Sequence, residues 1–366
     1  MKNTKAKFCF NTMVNNEAHV IERMLNSVYP YIDYYVIQDN GSTDGTPDII
    51  RNFFKEKGID GFVYEIDWWK GHGINRDHTL QTALNADHGC DWILRVDADE
   101  QLNVDENFDW SVFDNTSIQS WNVPCQGPGI MYFRTWIWNA KLPWRFYPEK
   151  AHETIYLDSN NIGEDFQRVN LDTGFRHILT NDGQTWLKPM KFLKDALNLE
   201  LDTIPTKKVL EDEYHLWYIA KSYHDTLGDD FPFGDDHRKE YARRAIFYWS
   251  KWIENFASPI DEFAYWAHLG IGNCYNKIGD EENTIKHWNA ATKYCPDRNE
   301  HYYSLAHLHQ KNKDWFWMHE ATKKLVDTNR KNPFPRFQFM IQNDSYYDTS
   351  EIPQQLHKIA LQGLNG

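Results

Sequence analysis

The sequence predicts an α/β domain with a doubly wound, mostly parallel sheet, followed by an all-helical domain. Two observations predict the first part. Apolar runs of strand length alternate with helical spacing over the opening hundred residues, in units of roughly 30 residues. Polar clusters also fall just after the predicted strands, where such sheets bind ligands. A third observation predicts the second part: beyond about residue 186 the strand pattern stops and a 34-residue helical repeat sets in.

Taken in order, Lys7 to Val14 reads as the first strand, and Glu17 to Val28 has helical spacing through Val20, Ile21, Met24, Leu25 and Val28. Tyr34 to Gln38 is a second strand, closed by the turn-forming run Asp39-Asn40-Gly41-Ser42-Thr43-Asp44-Gly45. Pro47 suits the first turn of a helix that continues through Ile49, Ile50, Phe53 and Phe54. Gly61 to Ile66 is a third strand and Asn75 to Ala86 a third helix. The fourth strand begins at Trp92 and is expected to end at Asp97, in the run Val96-Asp97-Ala98-Asp99-Glu100. Strand alternation would point Asp97 and Asp99 to one side, where two like charges call for a proton or a cation. Oxygen ligands of this kind suit Mg²⁺ or Mn²⁺, with a phosphate completing the shell.

Composition narrows the function classes. The chain has 366 residues, enough for two domains, and its 25% charged and 41% apolar content is that of a globular protein. Aromatic residues reach 16%, with 16 Trp and 20 Tyr, and core filling is expected to absorb most of them. A net charge of −14 argues against a nucleic-acid partner. It also means that an anionic substrate needs a metal or clustered Arg and Lys. The five cysteines are scattered, without a Cys-x-x-Cys pair, so neither a disulfide framework nor a zinc site is indicated. With no apolar leader and no run of apolar residues long enough for a membrane span, a cytoplasmic protein is expected. No Gly-x-Gly-x-x-Gly follows the first strand and no Walker lysine is present, which disfavours dinucleotide and P-loop chemistry.

Four motifs, in order and in register, carry a resemblance. Thr12-Met13-Val14-Asn15-Asn16-Glu17, Gln38 to Thr46, Asn75-Arg76-Asp77 and Val96 to Glu100 resemble family 2 glycosyltransferases of GT-A fold, over residues 6 to about 180. The resemblance implies inverting transfer of a sugar from a nucleotide diphosphate donor, a UDP-sugar first, to a glycan or protein acceptor. It implies that Thr12 and Glu17, with Asn16, line the nucleotide pocket, and that Asp39, with Asn40 beside it, accepts a hydrogen bond from the base. Arg76 would approach the diphosphate or hold the acidic loop. Asp97 would face the ribose or the metal, and Asp99 would ligate Mn²⁺ or Mg²⁺ directly. His177 sits where relatives carry a histidine near the metal, and a neutral imidazole suits Mn²⁺. The chain departs from its relatives at Trp69 to Ile74 and in having Asp77 after Arg76.

Attack by an acceptor hydroxyl needs a base within hydrogen-bond reach. Glu153, in a His-Glu pair, is the first choice, and Asp165, in a Glu-Asp pair, the second. Arg134, Lys141, Arg145 and Lys150 form the local basic zone, which would serve the donor diphosphate, Arg145 above all, or an anionic acceptor, or simply face solvent. Trp136 and Trp138, at strand spacing, would present two aromatic faces to an acceptor sugar or to the core.

In the helical part, His268, Ile271, Gly272, Tyr275, Gly279, Thr284, Trp288, Ala291 and Pro296 fit a tetratricopeptide frame, with looser copies on either side. The expected organisation is therefore a GT-A catalytic domain over 1–185, a tetratricopeptide-like domain over 186–335 and a tail over 336–366. The repeats would serve as a buttress, as a homodimer contact, or as a hold on a protein acceptor. The competing reading is an interaction protein in which the repeats do the work and the first domain only binds nucleotide.

Overall fold

The computed structural model describes residues 2–67, 70–127, 130–146, 155–158, 167–171, 174–180, 182, 213–228, 234–259, 261–327 and 351–366. The chain divides into two compact units, Met1–Lys188 and Pro189–Gly366.

The first unit is built on β1 (Phe8–Val14), α1 (Ile21–Val28), β2 (Tyr34–Asp39), α2 (Thr46–Lys57), β3 (Asp60–Glu65), α3 (His72–Asn85) and β4 (Trp92–Leu94). It continues through β5 (Glu100–Val104), β6 (Ser120–Gly127), β7 (Ile130–Asn139), β8 (Trp144–Phe146), β9 (Ile155–Leu157), β10 (Arg168–Asn170) and β11 (Phe175–Leu179). The main sheet has the order β3-β2-β1-β4-β7-β6-β11-β5, with β10 alongside β6. β3, β2, β1 and β4 are parallel, and antiparallel pairing enters at β4–β7, β6–β7 and β5–β11. β1 lies at the centre of the parallel half and is buried along nearly its whole length. That is the signature of a strand covered on both faces, and explains why its sequence does not alternate. β8 and β9 form a separate hairpin-like pair.

Local chemistry sets the boundaries. α2 carries Pro47 in its first turn and ends at Gly58, whose φ of +66° lets its N–H close onto the carbonyls of Phe54 and Lys55. The first helix starts at Ile21 rather than Glu17, because residues 17–20 form a turn in which Val20 and Ile21 donate to the Glu17 carbonyl. The core is aromatic. Phe8, Trp110, Phe113 and Phe175 meet one another edge-to-face or tilted, at ring separations between 5.0 and 5.9 Å. Trp136 and Trp138 belong to buried clusters too, at 6% and 1% exposure. Of the two places open to them, an acceptor face or the core, the structure shows the core: β7 lies inside the sheet, between β4 and β6, and both indoles are covered.

The second unit is all helical among its described residues: α4 (Glu213–Asp225), α5 (Asp235–Phe256), α6 (Glu262–Ile278), α7 (Glu281–Ala291), α8 (Glu300–Asn312), α9 (Trp315–Leu325) and α10 (Ile352–Asn365). Successive helices pack pairwise, α6 and α7 being joined by Gly279 and Asp280 alone. The side chain of Trp288 occupies the space where Gly272 would carry a Cβ, so the small residue on α6 is what lets α7 approach. Among the described residues, no helix is long and apolar enough to cross a membrane.

Candidate active site

The parallel strands β1, β2 and β4 run in the same direction, so the loops after Val14, Asp39 and Leu94 gather at one edge of the sheet. Their backbones are pinned to one another. Asn16 adopts φ +56°, its N–H donates to Ser42 Oγ (2.8 Å), and its Oδ1 accepts from the Thr43 N–H (2.8 Å). Asn40 donates through its backbone N–H to the Val14 carbonyl (2.8 Å), and its Oδ1 accepts from Gln38 and Asn75. Glu17 is tied at its backbone to Thr46 Oγ1 (2.9 Å). Asn16 and Asn40 are therefore fasteners of the loops, with most of their polar atoms spent on the fold. Thr12 lies within β1 at 1% exposure, and its hydroxyl is buried without a partner among the described residues.

Asp39 is fully buried at the end of β2. One carboxylate oxygen accepts the Ser42 N–H at 2.8 Å, while the other, Oδ1, has no partner among the described residues. A buried oxygen left in this state costs roughly 1–3 kcal/mol, a deficit that a ligand N–H would remove.

The Asp97–Asp99 stretch is not the strand end that alternation suggested. β4 stops at Leu94, and residues 97–100 form a tight turn in which the Glu100 N–H donates to the Asp97 carbonyl at 3.0 Å. The two carboxylates consequently have different surroundings. Asp97 sits between two guanidinium groups, Arg95 at 2.9 Å and Arg76 at 3.1 Å. Of the two roles open to Arg76, the structure displays the loop-holding one. Asp99 is half-buried; its own backbone N–H bonds its carboxylate, and the Arg23 cation interacts with it electrostatically. Burial, with Asp97 and Glu100 close by, pushes its pKa up to about 6. Such a group relieves its strain by taking a proton or a cation.

Beneath the turn, Glu100 is buried and bound through Oε1 to Arg134 at 2.9 Å. His177, on β11, is fully buried with Nδ1 3.5 Å from the other Glu100 oxygen and its ring edge-on to Trp136. Burial lowers its pKa, which keeps the imidazole neutral. Among the described residues, no three His, Cys, Asp or Glu side chains gather closely enough to hold an ion. His177 thus faces Glu100, and is not brought into a three-ligand cluster with Asp97 and Asp99.

Arg145, expected at the diphosphate, is committed elsewhere. Its guanidinium forks onto Asp77 at 3.0 and 2.7 Å, and Asp77 also accepts the Phe146 N–H at 2.8 Å. Asp77, the residue after Arg76, is therefore the anchor of β8 on α3. Lys141 pairs with Asp91 at 3.3 Å. Glu153, Asp165, Lys150 and Trp69 lie outside the described residues. Sequence reasoning missed Arg95, and its only signal was a cation two residues before Asp97. It also missed Glu100 as the link between Arg134 and His177.

Residues 12–106 match the family model Glycosyl transferase family 2. No curated protein matches the chain. Among solved structures, the chain is similar to S. aureus TarS 1–349, solved with and without UDP. The identity is 13% over 78% of this chain and 90% of that one, with a TM-score of 0.37. It is also similar to MamA from Desulfovibrio magneticus RS-1, at 17% identity over 50% of this chain and 86% of that one (TM-score 0.30). A third is glucosyl-3-phosphoglycerate synthase from Mycobacterium tuberculosis, solved with Mn²⁺, UDP and glucosyl-3-phosphoglycerate. There the identity is 19%, covering 34% of this chain and 45% of that one, with a TM-score of 0.24.

Proposed function

We propose that this chain, a glycosyltransferase whose amino-terminal unit carries the family 2 domain, moves a sugar from a UDP-linked donor to a glycan or protein acceptor, with inversion and with a divalent ion. The observation that carries the reading is a pair of ill-matched carboxylates at one sheet edge. Asp39 keeps a buried oxygen without a donor among the described residues, and Asp99 keeps a half-buried carboxylate whose pKa is pushed up to about 6 by burial and by the crowding of Asp97 and Glu100. A nucleobase imide N–H answers the first, and a hard cation on a diphosphate answers the second. Asp97, already shared between Arg76 and Arg95, would add an oxygen on the same turn. Those arginines also bring positive charge to the place where a diphosphate would lie, in a chain of net charge −14.

The donor set is one that Mn²⁺ or Mg²⁺ accepts, since it consists of carboxylate oxygens with the diphosphate as further ligand. When bound, the ion would stabilise the charge on the departing diphosphate. The acceptor hydroxyl attacks the anomeric carbon from the face opposite the leaving oxygen. Its proton passes to one carboxylate, for which Glu153 is the first candidate and Asp165 the alternative. The glycosyl–oxygen bond to the diphosphate breaks as the new bond forms, which inverts the anomeric centre.

The purified protein with a panel of UDP-sugars provides the test. UDP release by hydrolysis or transfer is expected with at least one donor, and it should rise on adding Mn²⁺ and fall with a chelator. Absence of both turnover and UDP binding across the panel refutes the proposal.

A further inference from the structure

The turn that carries Asp99 is held by a second set of side chains besides the two arginines on Asp97. Thr180, just beyond β11, donates its hydroxyl proton to the main-chain carbonyl of Asp99. The same hydroxyl accepts a hydrogen bond from Arg23 Nη2 at 2.8 Å. Arg23, on α1, also forks onto Asp182 at 2.6 and 2.7 Å, and Asp182 Oδ1 lies 2.8 Å from Thr180 Oγ1. A threonine hydroxyl has one proton, which here lies within reach of both the Asp99 carbonyl and Asp182 Oδ1, so this hydroxyl ties the turn to the Arg23–Asp182 pair. The His19 ring meets the Asp182 carbonyl at 3.0 Å, and Ser27, one turn further along α1, accepts the Leu102 N–H at 3.0 Å. One helix therefore fixes both sides of Glu100: the turn through Thr180 and the following strand through Ser27.

We infer that Arg23, Asp182 and Thr180 form a positioning clamp that sets the orientation of the Asp99 carboxylate toward a metal-bound diphosphate. The inference rests on the glycosyltransferase reading proposed above. None of the three touches the reacting atoms. Their part is geometric, because a hydrogen bond to the Asp99 carbonyl fixes the peptide plane from which that side chain springs. A planar bidentate Arg–carboxylate pair is the arrangement that best resists rotation, and lysine cannot reproduce it. Outer-shell partners of metal ligands typically govern affinity by roughly 10–100-fold.

The experiment compares the wild type with Thr180→Val, which keeps the shape and removes the hydroxyl, and with Thr180→Ser, which restores the donor. Two quantities are read: the Mn²⁺ concentration that half-activates UDP release, and the affinity for UDP without metal. Thr180→Val should raise the first by about tenfold and leave the second unchanged, with Thr180→Ser close to wild type. Should Thr180→Val not fold, Arg23→Lys is read the same way, with the same shift expected. An activation curve identical to wild type in the folded variant overturns the clamp. So does a loss of metal-free UDP affinity equal to the loss of metal activation, which would mark a merely structural role. A wild-type protein that neither binds nor turns over any UDP-sugar refutes the functional reading instead, so the two failures are distinguishable.

Discussion

At the scale of single residues, Asp99 and Asp39 are the groups whose surroundings ask for something the fold does not supply. Asp99 has a folded-state pKa of about 6 against an ordinary 3.8, so the folded protein holds that proton more tightly than the unfolded chain. Its contribution to stability is therefore best below about pH 4 and declines as pH rises toward 6, staying unfavourable above. Asp99→Asn should raise the apo protein's stability at pH 7.5 by on the order of 2 kcal/mol, and should abolish the Mn²⁺-dependent rise in melting temperature. Thermal scans with and without Mn²⁺, at pH 5.5 and 7.5, read both effects, and in wild type the metal-induced shift should be larger at the higher pH. A variant that keeps the Mn²⁺ shift removes Asp99 from the metal. Asp39→Asn replaces the open oxygen by an amide that can present a donor to another donor, so UDP affinity should fall by roughly 30-fold, or about 2 kcal/mol. Titration calorimetry measures it, and unchanged affinity would exclude Asp39 from the base. The sequence named both carboxylates, because their positions after strand-like runs are visible in one dimension. It could not show that Asp97 is shared by Arg76 and Arg95 while Asp99 is not. The Arg76 contact comes from α3, and no local pattern announces it.

Secondary-structure elements were legible where an apolar run or a helical spacing was bounded by turn-forming residues, as in β1, β2 and α2. The reading failed where an apolar run outlasted its strand. Val96 is buried, yet it lies beyond β4, because the chain must turn there to enter β5. Strand spacing was likewise silent about cover in β7. Trp136 and Trp138 share a strand in the interior of the sheet, and both are buried. Trp136 is flanked by the Arg95 and Arg134 guanidiniums at 5.0 and 4.6 Å, so it packs the cations beneath the acidic turn. Trp136→Ala should cost about 3–5 kcal/mol in denaturant unfolding, and lose activity through misplacement of Arg95. A stability loss below 1 kcal/mol would contradict its place in the core. In the helical unit, Gly272→Ala puts a methyl group into the Trp288 ring, against a helix-propensity gain of about 1 kcal/mol. Overpacking of about 1–3 kcal/mol should outweigh the gain or cancel it, so a variant clearly more stable than wild type would show that α6 and α7 can separate freely.

For the whole molecule, the change of pattern near residue 186 told of two units because hydrophobic periodicity changes with architecture. What each unit does for the other has no such signature. The two units carry separate cores: Phe8, Trp92 and Phe113 anchor the first, while Trp249, Trp252 and Trp288 anchor clusters of the second. The carboxylates that would receive UDP and Mn²⁺ all lie in the first. A ligand that binds only one cooperative unit stabilises that unit by RT ln(1 + [L]/Kd), about 2.7 kcal/mol at a hundredfold excess over Kd. Scanning calorimetry of the full chain should therefore resolve two transitions, with UDP and Mn²⁺ together moving one by several degrees and leaving the other in place. Arg298, buried with Glu262 and Glu300 in the helical unit, supplies the complementary perturbation. Arg298→Ala leaves buried carboxylates uncompensated and should lower the unmoved transition by about 3–5 kcal/mol without changing the ligand response of the other. A single transition that shifts as a whole with ligand, and falls as a whole in the Arg298 variant, would mean that the two units unfold as one. The repeats would then be part of what holds the catalytic unit in its active form.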